Sequence, residues 1–207
     1  MSEQSLKRAC ETLARRDQAL SRAYDAIGLP EWRHAPASYE TIARTVTFQL
    51  LSTRAAGAIW TRVLDWSGGE LTFQHVLEAD DEDLRACGLS RPKVSHLKSI
   101  AAAISDGDLP LHELHHHADH EARQKLVAVK GIGPWTAEIF LMSSLGRMDA
   151  FPEGDVGLME ALRMLNGDDV RLKPKAFLEH AESWRPHRAV AAHLLWGFIN
   201  KVRETGY

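Results

Sequence analysis

The sequence predicts an all-α fold, and two observations carry that expectation. Apolar residues recur at helical spacing through most of the 207 residues, while the apolar–polar alternation of a half-buried strand is almost absent. Glycine and proline interrupt the pattern at short intervals, so short loops join the helices. Leu6, Cys10, Leu13 and Leu20 mark the first helical segments. Leu158, Leu162 and Leu165 mark a later one more clearly, and Val190, Leu194, Leu195, Phe198 and Val202 mark the last. Breaks fall at Gly28-Leu-Pro30, Ser67-Gly-Gly69, Gly107-Asp-Leu-Pro110, Gly131-Ile-Gly133, Pro152 to Gly154 and Arg185-Pro186. About nine or ten helices follow from this punctuation.

Bulk properties exclude several classes. A hydrophobic content of 44% suffices for a core, in one domain or two small lobes. The two cysteines, Cys10 and Cys87, make no disulfide framework and fit a reducing compartment. Apolar runs fall short of the roughly 18 residues of a membrane-spanning helix, and Met-Ser-Glu-Gln opens the chain without a signal-peptide core. A soluble cytoplasmic protein is expected.

The most specific signal is local. Leu126-Val-Ala-Val-Lys-Gly-Ile-Gly-Pro-Trp-Thr-Ala137 reads as the end of one helix, a tight turn on Gly131 and Gly133, and the start of another. Glycine permits positive φ and close backbone approach, and Pro134 suits a first helical position. Trp135 to Met142 reads as the helix so opened. Its N-terminus, with unpaired N–H groups and a partial positive charge, is a ready anion site, although an ordinary helical-hairpin turn has the same pattern. Downstream, Phe151-Pro-Glu-Gly-Asp-Val-Gly-Leu158 places Asp155 where it would cap a third helix.

In these residues the chain resembles the helix-hairpin-helix (HhH-GPD) DNA glycosylase superfamily, and within it the DNA-3-methyladenine glycosylase II branch. Val129-Lys-Gly-Ile-Gly-Pro-Trp-Thr-Ala137 is similar to the hairpin and Phe151-Pro-Glu-Gly-Asp155 to the catalytic loop. Weaker likeness lies in Phe48-Gln-Leu-Leu-Ser52, similar to an early Gln-rich helix, in Gly88-Leu-Ser-Arg-Pro-Lys-Val94, and in Ser183 to Trp196. The resemblance spans about residues 5–205. It implies two helical lobes with a cleft between them: residues 36–149 carrying the hairpin, and 1–35 plus 150–207 carrying the acid.

It also implies roles. Asp155 would be the catalytic carboxylate, stabilising positive charge on the deoxyribose as the N-glycosidic bond breaks and orienting the attacking water. Capping and catalysis are compatible, because a helix N-terminus favours negative charge. Bifunctional relatives carry a nucleophilic lysine two residues after the second hairpin glycine; Trp135 stands there, so a monofunctional enzyme without strand cleavage is expected. Trp135 either packs in the core or stacks on the base. Trp196 matches an aromatic that faces the acid, with core packing the alternative. The target base must leave the duplex. Leu50 matches the residue that fills the gap, unless it is plain helix core, and Gln49 would lie near the opposite strand or the pocket rim. Ile139 and Val156 replace tyrosines of the best-known pattern, which leaves base preference open.

The implied partner is double-stranded DNA bearing alkylated bases, bound by a monomer. Net charge is −3, unusual for a nonspecific DNA binder, so a local basic patch is required. Lys130 beside Gly131, Ile132 and Gly133 leads the candidates, with Arg188, Arg44, Arg54, Arg91, Lys93 and Lys98. No cofactor is expected for catalysis, and two cysteines cannot ligate a four-cysteine iron–sulfur cluster. The resemblance implies a structural Na⁺ or K⁺ on the backbone carbonyls of Val127, Val129 and Ile132. His112-Glu-Leu-His-His116 matches the H-E-x-x-H zinc signature, with His117 and His120 nearby. It follows Pro110 and reads as a polar surface stretch. Two function classes stay open: an enzyme releasing alkylated purines such as 3-methyladenine, and a catalytically silent helix-hairpin-helix module that binds or scans DNA. An acid after Pro152 favours the first.

Overall fold

The computed structural model describes residues 2–205, which hold twelve α-helices and two short 3-10 helices. Two of the α-helices, Phe73–Glu78 and Asp81–Ala86, have six residues each, too short to show a helical period in the sequence. The described residues form two units: 2–34 with 146–205, and 35–145. The boundaries differ from expectation at both ends, for traceable reasons. Ala35 N–H donates to the Ser143 carbonyl at 3.0 Å, which ties it to the central unit. Residues 146–149 join the terminal unit, where the Met148 carbonyl accepts from Ala189 N–H at 3.0 Å. None of the described helices is long and apolar enough to cross a membrane.

The central unit contains α3 (Tyr39–Phe48), α4 (Thr53–Trp66), α5 (Phe73–Glu78), α6 (Asp81–Ala86), α7 (Arg91–Ser105), α8 (Asp119–Val127) and α9 (Pro134–Ser143). Side-chain oxygens of Ser38 and Ser52 accept N–H bonds at the starts of α3 and α4, satisfying donors that a helix N-terminus leaves unpaired. Helix α7 packs against α3, α5 and α6. Its buried face (Val94, Leu97, Ile100, Ala101) follows the helical period. Two of its lysines end other helices: Lys93 Nζ donates to the carbonyls of Thr47 (2.7 Å) and Gln49 (3.0 Å), and Lys98 Nζ to that of Ala79 (2.8 Å). The candidate patch therefore loses Lys93 and Lys98, whose charges are committed to carbonyls left unpaired at helix C-termini.

The histidine-rich segment Leu111–His116 is a 3-10 helix anchored by buried Leu111 and Leu114. At three residues per turn, positions i and i+4 diverge, so His112 and His116 do not share the face that the zinc signature needs in an α-helix. Among the described residues no cluster of three or more potential metal ligands forms.

The terminal unit contains α1 (Glu3–Arg16), α2 (Gln18–Ile27), α10 (Val156–Asn166), α11 (Pro174–Ala181) and α12 (Arg188–Thr205). Helix α12 packs on α1, α2 and α10, and its segment from Arg188 to Leu195 is buried throughout. One carboxylate, Asp17, joins distant parts of this unit. Its Oδ1 caps α2 by accepting from Ala19 N–H (2.8 Å) and Leu20 N–H (3.2 Å). Its Oδ2 accepts from Trp184 Nε1 (2.7 Å) and lies 2.8 Å from His180 Nε2. Burial alone would raise the Asp17 pKa, but the bonds from His180, Trp184 and Leu20 outweigh it and hold the carboxyl at about 2, against an ordinary 3.8.

That shift has a testable consequence. A depressed carboxyl pKa stabilises the fold above the unfolded-state value and loses that contribution as pH falls from about 3.8 through about 2. Asp17→Ala is expected to cost about 3 kcal/mol at neutral pH, from a lost cap and two lost charged hydrogen bonds. Urea titrations at pH 7 and pH 2.5 should show the wild-type–variant gap shrinking at the lower pH.

Candidate active site

Two helices frame the hairpin turn in the central unit. Helix α8 ends at Val127 and α9 begins at Pro134, with Gly133 as its N-cap. A charged pair ties the two helices together: Arg123 Nε donates to the carboxylate of Glu138, which is buried on α9. The two glycines are present for different reasons. Gly131 has φ +102°, and a Cβ placed there would lie 2.5 Å from His96 Cβ, so both conformation and packing against α7 demand glycine. Gly133 has φ −81°, which any residue adopts, and a Cβ there would meet nothing within 4 Å. No internal constraint explains the second glycine; open backbone on the outer side of the turn does.

The turn also offers donors. Ile132 N–H donates to the Val129 carbonyl at 3.1 Å. Among the described residues, the N–H groups of Gly131 and Gly133 are committed to no protein acceptor. They lie beside the N-terminus of α9, where unpaired N–H groups favour negative charge. Lys130 is exposed next to Gly131 and donates to Ser95 Oγ at 3.2 Å. Ile132 is buried and Val127 exposed, while Trp135 is half-buried on the first turn of α9.

Gln49, Leu50 and Leu51 were expected inside a helix. Instead α3 ends at Phe48, and the chain reverses before α4 begins at Thr53. The two Lys93 bonds hold this turn from behind, and Gln49 Nε2 donates to Thr136 Oγ1 on α9 at 2.6 Å. Gln49 is thus brought to the hairpin helix, one residue from Trp135. Leu50 is no part of a core. It is fully exposed (104%) and has φ +58°, the one positive φ outside glycine among the described residues. A left-handed leucine costs roughly 1–2 kcal/mol, and an exposed one recovers nothing from packing, which is the signature of a residue kept for contact with something else.

In the terminal unit, Asp155 lies at the end of a segment fixed along its length. Ala150 and Phe151 are buried, the latter against Phe177 and Trp184, and Asp155 N–H donates to the Pro152 carbonyl at 2.9 Å. Oδ1 of Asp155 accepts from Leu158 N–H at 2.9 Å, capping α10 as expected. A Cβ added at Gly157 would lie 3.1 Å from that oxygen and 4.0 Å from Trp196 Cδ1. The structure therefore brings Asp155 and Trp196 close to the same glycine. Trp196 is half-buried, and Val156 is 57% exposed where a tyrosine was the reference.

Arg188 departs from its expected place at a DNA surface. It is only 8% exposed, and its guanidinium donates to both carboxylate oxygens of Asp149 (3.0 Å each), to the Asp149 carbonyl (2.8 Å) and to Glu182 Oε1 (3.0 Å). Arg185 donates to the same two carboxylates. Fully engaged guanidinium groups of this kind hold structure, here the strand of chain leading to Asp155. Of the basic candidates, Arg44, Arg54, Arg91 and Lys130 remain exposed.

Sequence reasoning missed two residues beside Trp196. His193, one turn earlier on α12, stacks on Trp32 with ring centres 4.5 Å apart and meets Trp196 edge-on at 5.6 Å. Trp32 follows the Gly28-Leu-Pro30 break and belongs to no periodic segment, so no local signal marked it.

Comparison with known proteins accords with this geometry. The model of the HhH-GPD superfamily of base excision DNA repair proteins matches residues 43–186. The chain belongs to the HhH-GPD superfamily. It is 36% identical over 161 residues to DNA-3-methyladenine glycosylase 1 of Schizosaccharomyces pombe, covering 76% of this chain and 71% of that protein. It also resembles the solved structure of the S. pombe 3-methyladenine DNA glycosylase in complex with abasic DNA, with TM-score 0.86, 31% identity and coverage of 97% and 98%. The DNA-3-methyladenine glycosidase structure from Bacillus halodurans gives 0.78, 31% identity and coverage of 95% and 91%. All-helical architecture with a helix-hairpin-helix is thereby established for this HhH-GPD chain.

Three substitutions separate structural from functional constraint in these turns. Gly131→Ala should cost roughly 3 kcal/mol, from strained φ and the collision with His96, whereas Gly133→Ala should stay within about 0.5 kcal/mol of wild type. Leu50→Gly should leave stability unchanged or raise it by up to about 1 kcal/mol, since it relieves strain and removes no packing. Chemical denaturation measures all three, and a large loss for Leu50→Gly would show that the side chain packs.

Proposed function

We propose that this chain is a monofunctional DNA glycosylase of base excision repair that releases alkylated purines such as 3-methyladenine from duplex DNA. The observation that carries the reading is the Asp155 carboxylate, which caps α10 beside Gly157, a glycine that the half-buried ring of Trp196 also approaches. Breaking an N-glycosidic bond builds positive charge on the sugar, and a carboxylate of fixed direction stabilises it without reorganising. An alkylated purine is often already cationic and leaves without strong acid assistance, so one carboxylate is enough. An electron-rich indole face beside it suits an electron-poor base. The relatives named for 3-methyladenine support the same substrate class.

The remaining parts have roles on this reading. The uncommitted N–H groups of Gly131 and Gly133 would grip a DNA phosphate, and open space at Gly133 would let it approach the backbone. Leu50 would enter the stack vacated by the flipped base, which accounts for an exposed leucine held in a strained turn. Exposed Lys130, Arg44, Arg54 and Arg91 would supply local positive charge on a chain of net charge −3. The carbonyls of Val127, Val129 and Ile132 would hold a monovalent cation, being neutral oxygen donors of the right kind; Val129 already spends one lone pair on Ile132 N–H. Trp135 stands where bifunctional relatives carry the nucleophilic lysine, and Lys130 lies on the other side of the turn with its amine on Ser95 Oγ, so an abasic site on an intact strand is the product. A soluble monomer completes the proposal.

Asp155→Asn should keep its affinity for abasic-site DNA and lose at least about 100-fold in base release, the scale of a removed electrostatic stabiliser. Near-normal release by this variant would refute the role of Asp155 and favour a module that only binds DNA. Borohydride should trap no covalent protein–DNA adduct; efficient trapping would overturn the monofunctional reading.

A further inference from the structure

The half-buried Trp196 ring at Asp155 is continued by two groups that are unnecessary for charge stabilisation. His193 is 6% exposed and touches both Trp32 and Trp196, so the three rings form one row within the terminal unit, and its Trp196 end approaches Gly157 as Asp155 does. The ring orientation of His193 is determined by its neighbours. Nδ1 lies 2.8 Å from the Ala189 carbonyl, which can only accept, so Nδ1 carries the proton. In the neutral ring Nε2 is then an acceptor. Among the described residues no donor reaches Nε2, yet it is not sealed from solvent as the buried unpartnered nitrogens of His96 and His187 are. Burial lowers the His193 pKa, and the charge of Arg33 adds to this, against the Ala189 bond and the charge of Glu31. The ring is therefore neutral where a cationic base would be repelled by an imidazolium.

We propose that His193 reads the base on which Asp155 acts, its Nε2 accepting a hydrogen bond from an amino or ring N–H group on the purine edge. The proposal rests on the glycosylase reading above and adds a specificity-determining residue to it. An aromatic wall alone grips any flat, electron-poor ring. An acceptor held in a fixed tautomer distinguishes rings that carry an N–H from those that do not, because the unsuited base leaves the acceptor unpaired. 3-Methyladenine keeps its exocyclic amino group, whereas ethenoadenine has lost it into a fused ring and offers no donor on that edge.

The test compares wild type with His193→Phe, which keeps an aromatic ring between Trp32 and Trp196 but removes Nε2, and with His193→Gln, whose amide oxygen can reach the Nε2 position. Single-turnover release is measured on duplexes bearing 3-methyladenine or ethenoadenine, together with affinity for abasic-site DNA, which has no base to read. His193→Phe should keep its abasic-DNA affinity, lose about tenfold in 3-methyladenine release and narrow the preference over ethenoadenine by the same factor. His193→Gln should recover most of the loss. Equal slowing on both lesions, or no slowing on either, would overturn the proposal and leave His193 a packing residue. Failure of His193→Gln to exceed His193→Phe would do the same. If wild type releases neither base, the proposed function itself fails, irrespective of His193.

Discussion

At Gly131 the backbone turns at φ +102° directly against the His96 side chain, and the geometry of the hairpin hangs on that contact. Any Cβ would push α7 away from the turn, and with α7 would move Lys93, whose ammonium holds the end of α3 and the turn at Gln49 and Leu50. The Gln49–Thr136 bond closes the same circuit from the side of α9. The hairpin turn and the exposed leucine are therefore linked through α7 and α9. One glycine sets the distance between them, and the neighbouring Gly133, free of such demands, is left open on its outer side.

The terminal unit treats charge in the opposite way to an open binding surface. Arg188, Arg185, Asp149 and Glu182 satisfy one another, and Asp17 is satisfied by a cap, a histidine and a tryptophan. Arg188 is buried, while Arg185 and Glu182 are half-exposed, so this network adds little stability but fixes the direction of the Arg188 guanidinium. Here the geometry specified is the run from Asp149 to Asp155. On the proposed function, a carboxylate that must meet a developing charge works only if it is already in place, so this support would bear on the chemistry.

Leu50 shows the reverse economy. The turn stores strain and exposes a large apolar side chain, both of which lower stability, and neither is offset within the central unit. Strained backbone tends to cluster at ligand contacts, and the proposed function gives Leu50 such a contact.

What the sequence determined by itself was local chemistry. Glycine spacing, Pro134 at a first helical position and Asp155 as a helix cap are all decided within a few residues, and all are read directly from the chain. The helical class followed from periodicity for the same reason. Tertiary structure alone decided which charges are spent and which remain available. Arg188 looked like a DNA-facing cation because its partner, Asp149, lies 39 residues away, and Lys93 finds its carbonyls at a separation of 44 and 46. Leu50 could have continued a helix; carbonyls gripped from another helix ended it there instead. Trp32 and His193 meet across the length of the chain. Helix caps and turns depend on near neighbours, whereas ion pairs and stacked rings depend on long-range packing, which no window of sequence contains.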